Sequence, residues 1–373
     1  MLHYKATLKS IALILSFSSS AIAENANFLP NIETASEGAF KAGLFYDNVE
    51  KTNVTLGLEQ KNIFGTDDHA FMNFRYGEHS SAFETRFTDP DIFETIWSRT
   101  LSFSSRQLSP NTATLRGFAF GGFNTELSFS RPINSKKRLG FIFGFDLLDF
   151  QKSQDLPTAV LNSAALQNNK LKTSYLAIQT KYSSLIGTTF PTSGSEINGS
   201  FEIGDVNSIS YTLLQVSAQK FYPLSEKVFI TSKIATSIGT AHGSEFPFSK
   251  NTPLGGAGTV RGFKHNSLGL LSPLDISGEP AALGGQFALA ASLEAGTLLG
   301  ASEKLIAFIF FDAGNASNNR QDMRIKALEH SRGIGIRWKS PLGPIDASYA
   351  KAINPSNPNL IEEFQISLGS FFK

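Results

Sequence analysis

Along most of this chain hydrophobic and polar residues alternate one by one. In VTLGLEQ, Val54, Leu56 and Leu58 oppose Thr55, Gly57 and Glu59; in FMNFRYG, Met72, Phe74 and Tyr76 oppose Asn73 and Arg75. The same alternation sets Val228, Ile230 and Ile234 against Thr231 and Lys233, and Ile334, Ile336 and Trp338 against Gly333, Gly335 and Arg337. It returns in GPIDASYA, where Ile345, Ala347 and Tyr349 oppose Asp346 and Ser348. A period of two puts successive side chains on opposite faces of an extended strand. The spacing predicts sixteen strands, near residues 38–47, 53–61, 69–76, 81–88, 96–106, 122–131, 139–149, 172–183, 196–204, 210–221, 227–239, 285–296, 303–313, 330–338, 344–352 and 361–371.

A soluble β-sandwich also alternates, but its connections rarely switch between very short and very long as these do. Even strand number, about ten residues per strand, one greasy face and one polar face are the marks of an all-β, 16-stranded antiparallel transmembrane β-barrel. Closure leaves no free edge in lipid, where every backbone polar group must find a partner. The 33 phenylalanines suit this reading, because aromatic residues supply lipid-facing bulk and interfacial girdles. LIAFIFFD, residues 305–312, is apolar on both faces; a barrel strand covered on its inner side by a loop has that pattern. At the end of the chain Phe364, Ile366, Leu368 and Phe372 share a face, as in the C-terminal recognition strand of bacterial outer-membrane barrels, and Lys373 departs from the usual aromatic terminus.

Composition narrows the setting. Lys5 and Lys9, the apolar run Ile11 to Phe17 and the small-x-small site Ala21-Ile22-Ala23 read as a secretory signal peptide over residues 1–23, with the mature chain starting at Glu24. Without Lys5 and Lys9 the 33 Lys+Arg fall to 31 against 32 Asp+Glu, which offers no electrostatic case for nucleic acid. The absence of cysteine leaves no disulfide framework. No apolar run approaches the ~18 residues of a helical span, a test to which barrels are blind. After Glu37 there is no linker or low-complexity break, so residues 37–373 read as one barrel domain, preceded by a short segment over 24–36.

Catalytic constellations do not emerge. HNSLG around Ser267 lacks the first glycine of a nucleophile elbow. Gly255, Gly256 and Gly258 are not followed by the Gly-Lys-Ser/Thr of a phosphate loop. The six histidines, among them His242 and His265, show no paired metal-ligand spacing. No enzyme, no cofactor and no metal are expected.

One arginine carries more information. Arg261 lies in the longest candidate loop, 240–284, within TVRGF, and two carboxylates follow inside strands: Glu294, on the parity of Gln286, Ser292 and Gly296, and Asp312. Glu294 should therefore face the lumen; two buried carboxylates call for a cation, and a guanidinium can meet both through paired hydrogen bonds. The loop is therefore expected to fold into the barrel as a latch, Val260-Arg261-Gly262-Phe263, with Glu294 and Asp312 as wall partners and Gly262 permitting the close turn. The alternative is an arginine capping a surface turn in water. A second version, LRGF at Leu115 to Phe118, lacks the glycine run before it and the acidic strands after it.

GGAGTVRGF, LGGQFALAASLE, FIFFDAGNA, RGIGIRWKSPLGPIDASYA and FQISLGSFF occur in that order, and LGLEQKNIFGTDDHAFMNFRYGE with ETRFTDPDIF stands near the start. In order and spacing they resemble the barrel of the BamA and TamA outer-membrane assembly factors, in the bacterial surface antigen superfamily, over nearly all of Glu37 to Phe372. SLGLLSPLDISGEPAALGG leans to the TamA type, VRGF and SPLGP to the BamA type. The resemblance implies that Arg261 is the tip of the inward-folded loop. It also implies that the first and last strands meet at a weak seam, here carried by Phe40, Gly43 and Phe45 against Phe364, Ile366 and Gly369. Members usually carry periplasmic POTRA repeats before the barrel, and residues 24–36 cannot hold one.

The leading expectation is a barrel in the bacterial outer membrane that assists insertion, assembly or translocation of proteins there. Its partners would be outer-membrane lipid, nascent outer-membrane β-barrels or secreted proteins, and a POTRA-bearing or periplasmic subunit. The alternatives are a pore or transport barrel, or a surface antigen that keeps the fold without insertase activity.

Overall fold

The computed structural model describes residues 38–63, 67–110, 118–150, 155–186, 191–300, 304–340 and 343–372. The expected signal peptide, the segment 24–36, Leu115 to Gly117 of the second LRGF and Lys373 lie outside the described residues.

Sixteen antiparallel strands close into a barrel. The first eleven follow one another: β1 (Gly38–Asp47), β2 (Lys51–Lys61), β3 (His69–Gly77), β4 (Ser80–Asp89), β5 (Ser98–Leu108) and β6 (Phe120–Pro132); then β7 (Lys137–Phe150), β8 (Lys170–Ser183), β9 (Gly194–Val206), β10 (Ile209–Pro223) and β11 (Val228–Ala241). Residues 242–286 form the long loop and contain the short strands β12 (Gly262–Phe263), β13 (Leu271–Pro273) and β14 (Pro280–Ala282). The wall resumes with β15 (Phe287–Leu299), β16 (Leu305–Ser317), β17 (Glu329–Ser340) and β18 (Gly343–Ile353), and β20 (Phe364–Phe372) closes it on β1.

Alternation decides which face each residue takes. Val54, Leu56, Leu58, Met72, Phe74, Ile334, Ile336 and Trp338 are exposed on the outer wall, while Asn53, Thr55 and Thr231 are buried within. An outer surface this apolar is at home only against hydrocarbon. No helix among the described residues is long and apolar enough to cross a membrane, and the crossing belongs to the strands.

Three expectations need adjustment. The strand expected over 361–371 is two elements. Ile361–Glu362, β19, leaves the wall to pair with Gly262–Phe263 of the loop, and the barrel strand begins at Phe364. The loop itself is 242–286, because β11 extends to Ala241 and β15 begins at Phe287. The long connections 151–169, 242–286 and 318–328 do share one end, the loop end, but that end also has the tight turns 78–79 and 207–208. The other end, the turn end, reaches ten residues at 184–193.

Inside, the loop end is filled. Leu274, Ala281 and Leu283 of the long loop pack with Leu156, Val160 and Ala165 around the short helix α1 (Thr158–Leu161) and with Phe150, Leu171 and Tyr211 of the wall. A second core joins Leu254, Val260, Phe263 and Leu268 to Ala288, Ala290 and Ala316. Small wall residues there leave room for the loop, which explains why those strand faces read as alanine rather than as bulky polar residues.

Candidate functional site: the internal latch and the seam

Arg261 is buried on the inner wall, its side chain 5% exposed against 2% for Glu294 and 0% for Asp312. Its Nε donates to Asp312 Oδ2 at 2.7 Å and its Nη2 to Asp312 Oδ1 at 2.8 Å, a bidentate fork, and its backbone N–H donates to the same carboxylate at 3.1 Å. Nη1 lies 2.9 Å from Glu294 Oε1, and Nη2 donates to Ser292 Oγ at 3.1 Å. The guanidinium lies flat over Phe310, 3.5 Å from the ring centroid. Lysine could reproduce neither the fork nor the stacking.

The structure adds residues that the sequence reading did not assign. Arg337 grips Glu294 through Nη1 at 2.8 Å and Nη2 at 3.0 Å, gives Nε to Asp346 at 2.7 Å, and lies over Phe308. Lys233 stands 3.9 Å from Glu294. Arg261, Arg337 and Lys233 thus face Glu294, Asp312 and Asp346, a balance of three positive and three negative groups. In a setting that is costly for any unpaired charge, balance is what lets the cluster exist. Arg337 was readable in principle, since it shares the inward parity of Gly333 and Gly335.

Those two glycines make space for the aromatic floor. A Cβ on Gly333 would stand 2.5 Å from the Phe310 ring, and one on Gly335 would stand 2.3 Å from the Phe308 ring. The doubly apolar pattern of 305–312 resolves accordingly: Phe308 and Phe310 are buried beneath Arg261, Ile306 is buried with Phe229 and Leu298 of the wall, and Ile309 and Phe311 face outward. Gly262 has φ +87°, and a Cβ there would come within 3.1 Å of Ala350 Cβ, so conformation and space both require glycine.

A second anchor holds the loop to β9, separated from β15 in the wall by β10 and β11. Lys250 is buried, its Nζ 2.8 Å from Glu202, and it is flanked by the rings of Tyr175 and Tyr211. Tyr211 donates to Glu202 at 2.5 Å, and Tyr175 donates to Glu126. Nothing in the local sequence around Lys250 marks it.

The latch also touches the closing strand. Gly262 and Phe263 pair with Glu362 and Ile361, Lys264 N–H donates to Leu360 O at 2.7 Å, and Gln365 Nε2 donates to Phe263 O at 2.8 Å. The seam itself is short. Among the described residues β1 and β20 pair over six positions, Ala42–Asp47 against Ser367–Phe372, and β18 and β20 over five, where other neighbours share eight to thirteen. Gly43 faces Phe371 and Phe45 faces Gly369 across it. Phe40 falls outside the seam register and pairs with Leu58; Phe364 and Ile366 pair with Tyr349 and Ala347 of β18. The Asn48 side chain continues the seam where the ladder stops: its Nδ2 donates to Phe364 O at 2.8 Å, and its Oδ1 accepts from Ile366 N–H at 3.0 Å.

Residues 62–372 match the family described as the Omp85 superfamily domain. The outer membrane protein assembly factor BamA of Neisseria meningitidis serogroup B is 30% identical across 41% of this chain, which spans only 23% of that protein's length. The fold is similar to the crystal structure of BamA from Haemophilus ducreyi lacking POTRA domains 1–3, with TM-score 0.80 and 21% identity over 91% of this chain and 71% of that one. CdiB from Acinetobacter baumannii follows at TM-score 0.62 and 14% identity, covering 91% of this chain and 60% of that one.

Proposed function

Because the chain belongs to the Omp85 superfamily and folds as an outer-membrane barrel related to BamA and CdiB, we propose that it assists the insertion or translocation of other proteins at the outer membrane. The observation that carries this reading is the seam. A wall that pairs over eight or more residues nearly everywhere pairs over five and six at the two edges of β20. Opening there would expose the edge of β1, and an unpaired edge is a template for strand addition. A nascent β-barrel or secreted protein would add to that edge, without cofactor or chemical step.

A POTRA-bearing or periplasmic subunit would be a partner in this activity.

Depletion of the protein is expected to lower the steady-state level of outer-membrane barrels, and affinity purification from outer membranes to recover a POTRA-bearing partner. Unchanged barrel levels after depletion would contradict the assignment and favour a transport or surface-antigen role.

A further inference from the structure

Arg332 on β17 and Lys351 on β18 face each other directly across the two strands, and both are exposed. They lie on the outer wall, because the same parity carries Ile334 and Ile336 on β17 and Tyr349 on β18. Like charges in direct register repel, and neither cation has an ion-pair partner among the described residues. The nearby carboxylates form no ion pair with either cation, and each is hydrogen-bonded to a neutral group. Glu363 accepts from Tyr349 OH at 2.5 Å, Glu362 from Asn48 at 3.2 Å, Asp322 from Ser317 at 2.8 Å, and buried Glu329 holds Ser356.

Their height is informative. Two residues nearer the turn end runs the row Ile309, Ile334, Tyr349 and Phe364, with Ile309 and Ile334 each 60% exposed. Two residues of strand amount to about 7 Å. The cations therefore stand just above the apolar belt on the loop end, the extracellular end in barrels of this kind. The connection 318–328 adds to them: Asn315 on the outer face of β16 donates to Ala327 O at 3.2 Å, which seats the connection over the outer wall. Arg324 and Lys326 there are exposed beside Ile325, itself 79% exposed.

We propose that Arg332 and Lys351, with Arg324 and Lys326 above them, hold the phosphate of an outer-leaflet lipid headgroup on the shoulder of the seam. A phosphate between the paired cations relieves their repulsion and is met by a guanidinium fork, while the row beneath contacts the acyl region.

The test uses the full chain in nonionic detergent and compares retention of bis-phosphorylated lipid A with that of its dephosphorylated form, read by native mass spectrometry. Foldedness is checked by heat-modifiable gel mobility. The parent protein should retain the phosphorylated lipid, and R332Q/K351Q should bind it roughly thirtyfold more weakly. Lys172→Gln, at an exposed position of β8 on the far wall, should bind as the parent does. Arg332→Glu turns the repelling pair into an attracting one, so it should lose lipid and gain heat resistance in lipid-free detergent. Equal binding of dephosphorylated lipid, displacement by equimolar inorganic phosphate, lipid retention by Arg332→Glu, or an equal loss in Lys172→Gln would each overturn the proposal.

Discussion

Arg261 makes a bidentate ion pair, a second ion pair, a hydroxyl contact and a ring contact in one buried place. Removing it strands Asp312 in a medium that cannot solvate it and takes one of the three cations from Glu294, a loss of about 3–5 kcal/mol. Arg261→Ala should therefore lose heat resistance in the folded-versus-unfolded gel mobility assay, and Arg261→Lys should restore little of it. Unchanged mobility in both would mean that the guanidinium is held in water instead. Asp312 was legible only as a carboxylate within an apolar strand, whereas Glu294 on β15 was legible because a carboxylate on the inward parity of a strand asks for a counter-charge. Arg337 carried the same signal on β17. Lys250 carried none: it is buried by how the loop folds over Tyr175 and Tyr211, and loop folding has no period.

At the scale of the strand, alternation revealed all sixteen wall elements because each has one face in lipid and the other on a polar lumen. It failed where that contrast is lost. On β16 the lumen side is covered by the latch, so both faces are apolar. At residues 361–362 the chain pairs inward with Gly262 and Phe263, a tertiary choice that no local pattern encodes. The seam's shortness was likewise invisible, since strand length is local and register is not. The β17 glycines form a packing device with the β16 rings, so Gly335→Val should displace Phe308 from beneath Arg337. Overpacking of this kind costs about 1–3 kcal/mol. A lowered unfolding midpoint in detergent is the expected readout, and an unchanged midpoint would mean that the floor has slack.

For the whole molecule, the loop 242–286 is plug and brace at once. It is pinned to β15 and β16 through Arg261, to β9 through Lys250, and to the closing strand through Gln365. Deleting 242–286 should raise single-channel conductance in planar bilayers, and a deletion variant that conducts no better than the parent would contradict a filled lumen. The same connections couple latch to seam, because Gly262 and Phe263 pair with the residues immediately before β20. The most direct measurement of seam opening exploits the absence of cysteine. Tyr46 and Leu368 are cross-strand partners in the seam register, a separation that suits a disulfide. In proteoliposomes carrying Tyr46→Cys with Leu368→Cys, insertion of an unfolded outer-membrane barrel should fall to the rate of protein-free liposomes when oxidised and recover on reduction. Full insertion activity with the disulfide closed would show that the seam does not open in function.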